Sequence, residues 1–201
     1  TITMTSCKNY GNITGAIAYT GAEQTAGIGT GGLIGGSGVS TIASSVNYGT
    51  VKGKEGVGGI IGSTRITGND TDGYTYNNTM VIYCGNEGSV EGDVAVGGVC
   101  GEAQFGAFGA YNTGTIVGES YTAGIAGCTS VGVIYNSVNA GLINGGTYTS
   151  GIVGKTNMGS LAINHNYGII DGKGSHAGGI VGLGSNCTMI NYCGNHGTIK
   201  S

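Results

Sequence analysis

Residues 166–182 read NYGIIDGKGSHAGGIVG, and two phrases inside that stretch decide the fold. The first is Asn-x-Gly-x-aliphatic-x-Gly, and the second is Gly-Gly-Ile-Val-Gly. Occurring once, they would be two loops; recurring on a fixed period, they are the architecture. The first phrase recurs as NYGNITG from Asn9, NYGTVKG from Asn47, NEGSVEG from Asn86, NTGTIVG from Asn112, NAGLING from Asn139, NYGIIDG from Asn166 and a shortened NHGTIKS from Asn195. The numbers of successive asparagines differ by 38, 39, 26, 27, 27 and 29. The basic period is therefore about 27 residues, within the range that repeat architectures use. The first two units carry insertions, near 16–26 and 63–79.

The second phrase keeps step: GGLIG at Gly31, GGIIG at Gly58, GGVCG at Gly97, AGIAG at Ala123, SGIVG at Ser150 and GGIVG at Gly178. In four of the six units it starts at the eleventh position after the asparagine, which fixes the register between the two phrases. A third apolar stretch precedes each asparagine, as in TIASSVN and TMVIYCGN. Repeats of 20–50 residues build solenoids, propellers or arrays. Segments of four to six residues rich in Ile, Val and Thr suit strands and are too short for helices. A propeller blade needs about 40 residues and four strands, so it fits worse. The sequence predicts an all-β chain folded as one parallel β-solenoid, a β-helix, over residues 1–201. Each coil of about 27 residues holds three short strands. About seven coils follow from the count of phrases. A right-handed winding is expected because parallel crossovers strongly prefer it.

In a solenoid each residue lies about 4.8 Å above its counterpart in the previous coil. Three columns then form the expected core. Four residues after the asparagine stand Ile13, Val51, Val90, Ile116, Ile143, Ile170 and Ile199. The third position of the second phrase holds Leu33, Ile60, Val99, Ile125, Ile152 and Ile180. Five residues before the asparagine stand Met4, Ile42, Val81, Ala107, Ile134, Leu161 and Ile190. Glycine is expected where the chain turns with positive φ or where coils approach too closely for a Cβ. The asparagine suits a left-handed corner, and its amide can bond to the same amide one coil away. The residue after the core aliphatic of the second phrase is also apolar (Ile34, Ile61, Cys100, Ala126, Val153, Val181). Simple alternation turns these outward and predicts an apolar stripe for lateral packing.

Composition narrows the function classes. The chain has 46 glycines, no proline, no tryptophan and 8% charged residues, with a net charge of −3. Lacking proline and a Gly-X-Y period, it is not collagen, and regularly placed aliphatics argue against Gly-rich disorder. No basic run exists to neutralise a phosphate backbone, so a nucleic acid is not an expected partner. No uninterrupted apolar stretch of about 18 residues is present, so no spanning helix and no membrane insertion are expected.

The paired phrases, as in NYCGNHGTI and NYGIIDGKGSHAGGIVG, resemble the GLUG motif repeat. The resemblance covers essentially the whole chain. It implies a repeat region of a secreted or cell-surface bacterial protein, of the adhesin-like and IgA-peptidase-associated kinds, acting as stalk or spacer while catalytic domains lie elsewhere. The chain has no HExxH signature, so peptidase activity does not carry over. The family pattern often has Cys two residues before the asparagine. Cys7, Cys84 and Cys193 match, while Ser45, Ala110, Ser137 and Asn164 depart from it.

Few residues offer chemistry. Six cysteines suggest a disulfide framework by number, but Cys7, Cys84 and Cys193 share one column two or more coils apart, too far to bridge. Small packing residues are the expected role for most, with one bridge left open. Asp70 and Asp72 in GNDTDG are spaced like the start of a calcium loop yet lack its later Glu; a solvated loop is the plain reading and calcium the alternative. No other cofactor is expected. His165, His176 and His196 lack a partner at metal-ligand sequence spacing and are expected at the surface. Of the acidic residues, Glu87, Glu91 and Asp93 form the one local group. Arg65, Tyr74 and Tyr76 lie in the second insertion and form the expected contact set, since insertions in solenoids become loops on one side. No catalytic residue is expected. Both chain ends fall inside a predicted strand, which fits excision from a longer solenoid beside flanking domains better than end-to-end stacking of copies. The expected function is a non-enzymatic stalk or adhesive surface that contacts host glycan or protein. The alternatives are a self-assembling extracellular filament subunit and a carbohydrate-binding or carbohydrate-active β-helix.

Overall fold

A computed structural model describes residues 2–15, 29–64, 79–187 and 189–201, and the side chains there except that of Phe105. The described residues contain strands and bends and no helix. Every strand pair among the described residues is parallel, and each joins a residue to its counterpart in the next repeat. The result is a β-solenoid of about six turns with the expected spacing of 27 residues between turns.

Three sheets run along the solenoid. One is short-sided, with seven two-residue strands ending on the repeated asparagines, from Lys8–Asn9 through Tyr111–Asn112 to Gly194–Asn195. Among the described residues the other two each hold 11 strands. In the level built from Tyr111–Asn112, Ile116–Ala123 and Ala126–Tyr135, each side is one continuous strand, giving the expected three. In the level beginning at Val46–Asn47 a bend at Lys54 splits one long side into Val51–Lys52 and Glu55–Gly58.

The columns stack in register. Ile13, Val51, Val90, Ile116, Ile143, Ile170 and Ile199 pair in succession, as do Met4, Ile42, Val81, Ala107, Ile134, Leu161 and Ile190. Inner members such as Val51, Ile116 and Ile143 are fully buried, and burial on that scale contributes about 1.5–3 kcal/mol per side chain. Members in the first and last levels are less covered: Ile13, Leu33 and Ile180 are half-buried, and Ile199 is 40% exposed.

Three expectations are corrected. The residues after the second-phrase aliphatic do not form an outer stripe: Ile34, Ile61, Cys100, Ala126 and Val153 are buried in the same cluster as Ile60 and Ile125, and Val181 packs against it. The chain bends at Gly59–Ile60 and at the equivalent pair in each level, so two consecutive side chains both face inward. The basis for lateral packing through that stripe is therefore gone. Second, the ladder asparagines are not left-handed. The left-handed residue stands three positions earlier, in Ser6, Ser44, Tyr83, Gly109, Asn136, Ile163 and Tyr192. Third, among the described glycines only Gly56 and Gly109 have positive φ.

What requires glycine is close approach. A Cβ on Gly98 would lie 2.8 Å from Cγ of Asn112 and collide with the Gly124 carbonyl. Equivalent contacts recur between Gly59 and Asn86, Gly124 and Asn139, and Gly151 and Asn166. Each asparagine thus reaches across the section to the second phrase of the preceding level. That chord separates the interior into two apolar clusters, one around Val51, Val57, Val96 and Ile116 and the other around Ile42, Ile60, Ile61 and Ile134.

Candidate binding surfaces

The asparagine amides form a continuous ladder inside the wall. Nδ2 of Asn9, Asn47, Asn86, Asn112, Asn139 and Asn166 each donates to Oδ1 of the next asparagine at 2.7–2.8 Å. The second hydrogen of each amide goes to the carbonyl two residues on, as from Asn112 to Gly114 at 3.1 Å. With the ladder amides satisfied in this way, binding chemistry is left to the outward columns.

The first outward feature is a cleft of about 360 Å³ on one long sheet. Glu102, Cys128 and Lys155 are register partners in adjacent strands, and Gln104, Ser130, Asn157 and Ser185 line the cleft with them. Glu102 and Lys155 stand two strand spacings apart, about 9.6 Å along the solenoid. Nζ of Lys155 also lies 4.9 Å from the centroid of the Tyr121 ring. Tyr121 stacks on Tyr148 with centroids 5.4 Å apart, and Tyr148 meets His176 at 5.0 Å.

The second is a groove of about 450 Å³ on the other long sheet, bordered by Lys52, Lys54, Glu91, Asp93 and Glu119. Lys52 and Glu91 form an ion pair at 2.7 Å with both side chains half exposed, a pair worth at most about 1 kcal/mol in water. A smaller depression beyond it carries Asn144, Thr147 and Lys173. Charges of both signs line this face, so it offers hydrogen-bonding variety rather than a field of one sign.

A third feature is aromatic. His165, Tyr167 and His196 cluster beside the last two ladder asparagines, with Tyr167 and His196 stacked at 4.8 Å. At mid-length, Tyr111 donates its hydroxyl to Oε1 of Glu87 at 3.0 Å. Burial, then the hydrogen bond and negative charge of Glu87, push the Tyr111 phenol up to about 12.

Arg65, Asp70, Asp72, Tyr74 and Tyr76 lie outside the described residues. Of the local acidic group, Glu91 and Asp93 line the charged groove and Glu87 instead serves Tyr111. None of the six cysteines forms a disulfide. Only Cys84 and Cys100 are buried, and burial raises both thiols, Cys100 far above the ordinary range. Cys7, Cys128, Cys187 and Cys193 are half-buried, so most cysteines are not the sealed packing residues expected. The sequence reading missed the Glu102–Cys128–Lys155 column and the lysines of the charged groove. Counting outward positions in the repeat register would have assembled both.

No family model matches the chain, and no curated protein matches it. Among solved structures it is similar to a crystal structure described as that of "a putative immunoglobulin A1 protease from Bacteroides ovatus", with a TM-score of 0.61 and 17% sequence identity. The alignment covers 96% of this chain and 66% of that one, just under two thirds of the neighbour's length. At this identity the likeness is one of fold.

Proposed function

We propose that the chain is a non-enzymatic repeat module of a secreted bacterial cell-surface protein, serving as a stalk or an adhesive surface. The observation that carries this reading is the unbroken amide ladder from Asn9 to Asn195. One motif, restated at every level, gives a stiff column whose long faces are equivalent platforms. The GLUG-like phrases and the fold likeness to the Bacteroides structure support it. Under this reading the partners are flanking domains of a longer chain and a host glycan or protein, and the Glu102–Lys155 cleft and the charged groove are the contact surfaces. The test pairs a binding panel of host glycans and extracellular proteins with turnover assays on glycan and peptide substrates, using the purified chain. Saturable binding weakened by Lys155→Ala or Glu91→Ala supports adhesion. Turnover abolished by one such substitution refutes the non-enzymatic reading.

A further inference from the structure

Two imidazole nitrogens meet over one glycine. His165 stands just before Asn166, and His196 stands just after Asn195 one level on. Register therefore puts them on a diagonal, within reach of long or aromatic side chains. The side chains close that diagonal, with Nε2 of His196 3.3 Å from Nδ1 of His165. The direct register partner of His165 is Gly194. A Cβ there would lie 2.8 Å from Nε2 of His196 and 3.0 Å from Nδ1 of His165. Both nitrogens thus lie over the position that a side chain at 194 would take, an approach open to them because residue 194 has none. At Gly85, the same column position four repeats earlier, the Tyr111 ring occupies the equivalent space. Tyr167 stacks on His196 with 13° between ring planes and holds that imidazole in place.

Two nitrogen ligands of a tetrahedral ion, each at 2.0–2.1 Å, are separated by about 3.3–3.4 Å. The observed nitrogen separation of 3.3 Å meets that requirement. Imidazole suits zinc, nickel and copper and not calcium or magnesium. Among the described residues no group of three or more His, Cys, Asp or Glu could hold a metal, so the chain supplies two ligands here and water the rest. We propose that His165 and His196 form a bidentate site for a divalent transition ion of the zinc and nickel class, which pins the last level of the solenoid to the one before it.

The test titrates the full chain with ZnCl2 or NiCl2 alone in a non-chelating buffer near neutral pH, read by calorimetry and by the thermal midpoint. The expected result is saturable binding with a raised midpoint, weakened at least tenfold by His165→Gln and by His196→Gln and unchanged by His176→Gln. Gly194→Ala keeps both imidazoles but fills the space between them, and it too is expected to weaken binding at least tenfold. Circular dichroism confirms that each variant folds, and the glutamine variants carry the test if Gly194→Ala does not. No binding at millimolar ion, or binding equal in the wild-type chain and in His165→Gln and His196→Gln, overturns the proposal.

Discussion

Replacing Asn112 by alanine removes one rung from the middle of the amide ladder. The side chain is fully buried. Its Nδ2 donates to Gly114 O at 3.1 Å and to Asn139 Oδ1 at 2.8 Å, and its Oδ1 accepts from Asn86 Nδ2 at 2.8 Å. Three hydrogen bonds at about 0.5–1.5 kcal/mol each put the loss near 3 kcal/mol. The partners are not wholly orphaned: Asn86 Nδ2 keeps Gly88 O at 2.8 Å, and Asn139 Oδ1 keeps the Gly141 amide at 3.2 Å. That retention keeps the cost from rising toward the full penalty of stranded polar groups. Asn195 is the contrast, since it is exposed and water can replace its bonds to Asn166 and Gly197. Asn195→Ala should cost under about 1 kcal/mol. Urea unfolding followed by far-ultraviolet circular dichroism separates the two. With a denaturant slope of about 1–3 kcal/mol/M, Asn112→Ala moves the midpoint by roughly 1–3 M. Asn112→Asp adds a check on sign. A buried carboxylate facing the Asn139 oxygen has its folded pKa raised above the unfolded value of about 3.9. Its cost is then smallest below that value, grows as pH rises through the folded pKa, and is constant above it. Equal midpoints for Asn112→Ala and Asn195→Ala, or an Asn112→Asp chain no less stable at pH 7 than at pH 3 relative to wild type, would refute the ladder as a source of stability.

Thr122 buries a hydroxyl with no partner in a column that holds Val57 and Val96 elsewhere, so Thr122→Val should stabilise by about 1 kcal/mol, read as a rise in thermal midpoint. Thr149→Val in the next level should instead destabilise, because Thr149 donates to Gly146 O at 2.9 Å. Gly124→Ala drives a Cβ to 2.5 Å from Cγ of Asn139 and should cost about 3 kcal/mol or prevent folding, whereas Gly36→Ala, with its nearest contact at 3.7 Å, should be neutral or slightly stabilising in the same urea assay. Native-state alkylation read by mass spectrometry should leave Cys84 and Cys100 unmodified while Cys7, Cys128, Cys187 and Cys193 react. Alkaline absorbance titration should show the Tyr111 phenol ionising near 12, with its stabilising contribution complete below pH 10 and lost as pH rises toward 12. Glu87→Gln should lower that value only part of the way, because burial, the leading cause, remains.

The period, the parallel pairing and the aliphatic columns were legible because each is restated at every level. Ile116, Ile143 and Ile170 sit in one register, and nothing except stacking explains their spacing. The left-handed corners were not legible, because glycine does not mark them. Ser44, Tyr83, Asn136 and Ile163 hold φ between 50° and 57°. An L-residue there costs about 1–2 kcal/mol, so repeated pairing above and below must over-determine the corner. A second set of left-handed residues, Tyr121, Tyr148 and His176, recovers part of the cost by stacking rings along the axis. The binding surfaces were the least legible, because outward positions change at every level. Glu102, Cys128 and Lys155 have no shared chemistry to flag them, only a shared register.

The two phrases are one device. From Asn47 to Asn195, the amide of each asparagine lies against the second glycine of the preceding level's second phrase, in Gly32, Gly59, Gly98, Gly124, Gly151 and Gly179. The first position of that phrase tolerates Ala123 and Ser150, yet the second is glycine in all six units. A side chain there would displace the amide and with it the bond to the next rung. The same coupling explains why the insertions do no harm. Steps of 38 and 39 residues separate Asn9, Asn47 and Asn86, while their amide bonds stay at 2.7 Å, beside 2.8 and 2.7 Å across the two 27-residue steps. Both insertions fall in sequence outside the Asn-x-Gly strand and the double glycine, so the chord that sets the register is the same in every level.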